Sequence, residues 1–65
     1  MTLEEIAMAV NQIRDMSDDD ESAHASEDEL YARVLEVVAA SNTHLAPLAA
    51  AALKTKEIRF SRWYA

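Results

Sequence analysis

Apolar side chains recur along this chain at steps of three and four, in blocks separated by short polar stretches. Leu3, Ile6, Val10 and Ile13 fall on one stripe of a helix, with Met8, Ala9 and Met16 widening it. Thr2 and Glu5 form a capping-box pair ahead of that stripe, so a first helix is predicted over about 3–16. In the second block Ala23, Leu30, Val34 and then Val37 or Val38 line up with Ser41, and Tyr31 and Leu35 lie alongside. This predicts a central helix over about 19–40. A later start at Ser26, paired with Glu29, is the alternative; nothing between Glu21 and Ser26 breaks a helix, which favours the longer one.

Pro47 suits the first turn of a third helix, where its missing N–H is not needed. That helix is predicted over about 45–56, with Leu45, Leu48, Ala52 and Leu53 as packing residues and Lys54 and Lys56 complementing its dipole. The tail, 57–65, alternates Ile58 and Phe60 with Arg59 and Ser61 in a strand-like period, yet has no second strand to pair with. It is expected as an extended arm, or with a short final turn carrying Trp63 and Tyr64. Three of the four aromatic residues fall in the last six positions, so the tail is expected to dock on its own core or on another protomer. The fold class is all-α: a small three-helix domain with an aromatic tail. The chain has no glycine and a single proline, which agrees with short connections that need few positive-φ positions.

Size sharpens the picture. A chain of 65 residues buries only about 60% of the surface its unfolded form exposes. Alanine supplies much of the 51% hydrophobic content, and without cysteine no disulfide supplements the small core. A homo-oligomer or a protein partner is the expected remedy. No stretch is long enough to span a bilayer, and the first residues carry acids where a secretory signal has a basic region. A cytoplasmic protein is expected, with no membrane association.

The charge is unevenly placed. The net charge of −6 argues against a direct grip on nucleic-acid phosphates. Eight of the twelve acids lie between Asp15 and Glu29 with no Lys or Arg among them, whereas four of the six basic residues are Lys54, Lys56, Arg59 and Arg62. The basic end is expected either to fold over the acidic helix start, within a chain or across a dimer, or to leave that acidic face for a basic partner. Such surface pairs contribute about 0 to 1 kcal/mol each and so set orientation more than stability.

Glu21, His24 and Asp28, with Glu27 close by, invite a metal-site reading, because residues three and four apart meet on a helix surface. One imidazole on one helix does not make a closed site. No Gly-rich phosphate loop, activated nucleophile or cofactor fingerprint is present, so no cofactor is expected. His44, beside a helix start, reads as structural.

Two segments, DDDESAHASEDELY at 18–31 and ALKTKEIRFSRWYA at 52–65, resemble a group of short uncharacterised proteins associated with bacteriophages and prophages. The shared patterns cover about half the chain and carry Asp19, Asp20, Glu21, His24, Glu27, Asp28, Lys54, Arg62 and Trp63. The resemblance implies a phage or mobile-element origin, with action in the cytoplasm of a bacterial host, and no catalytic assignment. Taken with the charge, it makes a non-enzymatic accessory protein the leading expectation. Asp19, Asp20, Glu21, His24, Glu27, Asp28, Arg62 and Trp63 are its expected contacts to a host or phage protein. Two alternatives stand beside it: a nucleic-acid mimic that occupies a host DNA- or RNA-binding or defence protein, and a metal-dependent hydrolase assembled across an oligomer.

Overall fold

The computed structural model describes residues 1–60. Arg62, Trp63 and the final turn expected near them lie outside the described residues. Three helices, α1 (Leu3–Asp15), α2 (Asp20–Ala39) and α3 (Ala46–Leu53), are followed by a 3-10 turn over Lys54–Glu57. No strand occurs among the described residues, and the fold is all-α.

Each helix start has a local cause. The capping box at α1 forms: the Glu5 amide donates to Thr2 Oγ1 at 3.1 Å and the Thr2 amide to Glu5 Oε1 at 2.9 Å. Helix α2 starts at the earlier of the two expected positions, with Asp19 as its N-cap. Ser26 therefore sits inside the helix, and its hydroxyl donates to Met16 Sδ at 3.4 Å, tying the end of α1 to α2. At the far end of α2 the Ser41 hydroxyl caps the Val38 carbonyl. Pro47 lies in the first turn of α3, and the helix tightens into the 3-10 turn at Lys54, earlier than periodicity suggested. From there the side chains are long and exposed, so little packing holds an α-helical pitch, and i to i+3 bonds satisfy the last carbonyls. None of the described residues has positive φ, in keeping with a chain without glycine.

The helices form a single layer. α1 and α3 both pack on α2 and not on each other. The molecule extends 38 × 33 × 10 Å, and the shortest extent leaves no room for a second layer of helices with axes about 8–10 Å away. Its radius of gyration is 13.4 Å, against about 11 Å for a compact domain of this length.

This layout decides which apolar residues are covered. On α1, Ile6, Ala9 and Ile13, with Met16 at its C-cap, are half-buried, because that arc faces α2. Leu3 and Val10, expected on the same packed stripe, are exposed, Leu3 to 86%. With one neighbouring helix, only a narrow arc of α1 can be buried. On α2, Ala23, Leu30 and Val34 are half-buried together with Val38, and Val37 is exposed. Among the described residues Ala49, on α3, is the most deeply buried, at 5% exposure.

Candidate interaction face on the central helix

One side of the plate, termed here the front, differs from the other. On α2, Asp20, His24, Glu27, Tyr31, Val34 and Val38 recur at steps of four and three and so share one stripe. Tyr31 and Glu27 border a groove with Val10 and Ile13 of α1, and Val38 borders a second groove with Leu45 and Leu48 of α3. The stripe thus runs along the front between two shallow grooves, acidic at its start and aliphatic at its end. On the opposite side the α1–α2 groove is bordered by Gln12, Glu29 and Arg33.

The expected contact residues are not equivalent in this arrangement. Asp19 is engaged in capping: Oδ1 accepts from the Ser22 amide at 3.2 Å and Oδ2 from the Ser22 hydroxyl at 2.9 Å. The amide, and secondarily the hydroxyl, hold its carboxyl below the usual aspartate range. Asp20 and Glu21 occupy the exposed first turn, where the positive end of the helix dipole favours them. His24 lies one turn further on, also exposed. Glu27 is half-buried and accepts from the Tyr31 hydroxyl at 3.3 Å. Asp28, its neighbour in sequence, points about 100° away around the helix and borders a cleft with Leu35, Lys56 and Phe60. Arg62 and Trp63 lie outside the described residues.

Glu27 and Asp28 therefore serve different grooves, whereas Glu21, His24 and Asp28 hold neighbouring positions on one face of α2. Among the described residues no three His, Cys, Asp or Glu side chains converge where a metal ion could be held. The basic segment after α3 follows the middle of α2: Lys56 Nζ lies 3.4 Å from Glu36 Oε1, with both side chains more than half exposed. No described helix is long and apolar enough to cross a membrane.

Sequence periodicity identified Leu45, Leu48 and Ala52 as packing residues but not as surface. They line the front groove beside Val38, and Leu48 is 65% exposed. The spacing was visible in the sequence; the absence of a covering helix was not. Comparison with family models, curated proteins and solved structures finds no match for this chain.

Proposed function

We propose that the protein is a non-enzymatic accessory protein that binds a protein partner through the front of α2. One observation carries the reading: Asp20, His24, Glu27 and Tyr31 form a continuous stripe that runs, past half-buried Val38, into exposed aliphatic surface at Leu45 and Leu48. Carboxylates beside leucines suit an amphipathic partner helix with basic residues at one end and apolar anchors at the other. Phosphate mimicry makes no use of the aliphatic half, so the continuity favours recognition of an amphipathic protein surface over occupation of a nucleic-acid site. The bacteriophage or prophage setting rests on the sequence resemblance of 18–31 and 52–65, and the partner in that setting is a host or phage protein.

The test is affinity capture of the tagged chain from a bacterial lysate beside an Asp20→Arg, Glu21→Arg variant. Asp19 is left intact because it caps α2. A basic protein retained by the native chain and lost by the variant is the expected result. Equal retention by both forms removes the acidic start of α2 from the mechanism. Release of the captured protein by added DNA, with both competing for one site, would favour mimicry instead.

A further inference from the structure

The cleft between α2 and the end of α3 lies where the described chain stops. Leu45 and Leu48 border the groove beside Val38, whereas Lys56 and Phe60 border the cleft that reaches Asp28, so α3 and the turn after it run back along α2. At 1.5 Å per residue, Asp28 is about 15 Å nearer the start of α2 than Val38. Ile58 leaves the 3-10 turn in an extended conformation, with φ −81° and ψ 128°, and delivers Phe60 to the cleft. Five residues follow, Ser61 to Ala65, and can span up to about 17 Å. The α2 wall of the cleft, Asp28 to Leu35, is about 10 Å long, so the segment is long enough to lie over it.

The chemistry of the two surfaces matches. The cleft has a carboxylate, Asp28, at one end and apolar wall from Tyr31, Leu35 and Leu53 beside it. Its other charged residue, Lys56, is committed to Glu36. The segment carries one cation, Arg62, followed directly by Trp63 and Tyr64. A guanidinium pairs with a carboxylate in a planar fork, and large rings need apolar surface to cover. Attachment decides the occupant. A group tethered this closely has an effective concentration on the order of millimolar, which a second copy or a free protein must exceed to take its place.

We infer that residues 61–65 cover this cleft within their own chain, with Arg62 on the Asp28 carboxylate and Trp63 on Tyr31 and Leu35. Arg62 and Trp63 then belong to the fold and not to a partner's contacts. The segment ties the far end of α3 to the middle of α2 and meets the front stripe at Tyr31. Asp20 and Glu21 stay outside it, so the inference does not depend on what binds there.

Trp63 is the single tryptophan, so its fluorescence in the full chain tests this directly. Its emission is expected to be blue-shifted and shielded from acrylamide relative to the urea-unfolded chain, equally at every concentration across the micromolar range. Arg62→Glu and Asp28→Lys should each shift the emission to the red and raise the quenching constant. The two together should restore the native emission, because the pair is rebuilt with its signs exchanged. Glu29→Lys makes the same charge change on the opposite side of α2 and should leave the emission unchanged. Asp28 is exposed, and far-ultraviolet circular dichroism checks that each variant keeps its helices. Native emission already at its unfolded position overturns the inference. A blue shift that appears only as concentration rises also overturns it and assigns the segment to a second copy. Equal red shifts from Asp28→Lys and Glu29→Lys, or no rescue in the double variant, overturn the pairing with Asp28. No step uses a partner, so the result is independent of the capture experiment.

Discussion

Lys56 reaches Glu36 and not the acidic start of α2: its Nζ lies 3.4 Å from Glu36 Oε1, sixteen positions along the helix from Asp20. In the cleft beside Lys56, the most N-terminal α2 residue is Asp28. Within the described residues the basic segment therefore runs along the middle of α2, and Asp20 and Glu21 keep their charge facing outward. Both side chains of the pair are more than half exposed, so ordering them offsets most of the Coulomb gain. Lys56→Ala should change the unfolding free energy by no more than about 0.5 kcal/mol, measured by urea titration. A larger loss would mean that the 3-10 turn anchors α3.

The Thr2 cap is a stronger local determinant. Thr2→Ala removes the acceptor for the Glu5 amide and should cost about 1 kcal/mol. Amide exchange would locate the loss in the first turn of α1, with α3 unchanged.

Two capping carboxylates give the stability an acid limb. Hydrogen bonds from the Thr2 amide and then the Thr2 hydroxyl lower the Glu5 pKa, and the Ser22 amide and hydroxyl lower that of Asp19. A carboxyl whose folded pKa is depressed stabilises fully above its unfolded value. That contribution fades as pH falls through the folded one. The urea midpoint should therefore be insensitive to these groups between pH 7 and 5 and decline below about pH 4. Asp19→Asn keeps an N-cap acceptor but removes its titration, and should flatten part of that decline. An unaltered acid limb in that variant would assign the titration elsewhere.

Ile13 is half-buried between α1 and α2 and borders grooves on both sides of their contact. Ile13→Ala should cost about 1 to 2 kcal/mol, less than at a fully enclosed site because solvent already reaches part of the side chain. Leu3→Ala, at a more exposed position on the same helix, should cost little in comparison.

Metal titration gives a further check. Calorimetry with Mg²⁺, Mn²⁺ and Zn²⁺ should give no specific binding heat for the single chain, because among the described residues no three carboxylate or imidazole side chains converge on one point. A stoichiometric site would restore the hydrolase reading through residues supplied by more than one chain.

The local chemistry was legible in the sequence, and the coverage of its faces was not. The capping box at Thr2, the acids opening α2 and the proline in the first turn of α3 act over three or four residues, and each stands where the sequence placed it. Periodicity also found the apolar positions of α1. It could not tell Ile13, which meets α2, from Val10, which meets solvent, because a stripe records which residues share a face and not whether anything lies on it. The same limit applied to Leu45 and Leu48. The acidic run gave Asp19 and Glu27 as members of one set. The structure gives Asp19 a capping role and turns Glu27 towards Tyr31.

Because α1 and α3 each touch α2 and never one another, the protomer behaves as a row of three units joined by two nearest-neighbour terms. Substitutions in its two outer helices should add in free energy with almost no interaction term. Either outer helix can detach while the remaining pair stays docked, so opening starts from the edges and proceeds inward. Loss of the α1–α2 contact and of the α2–α3 contact should therefore be separable by amide exchange, each outer helix exchanging faster than α2.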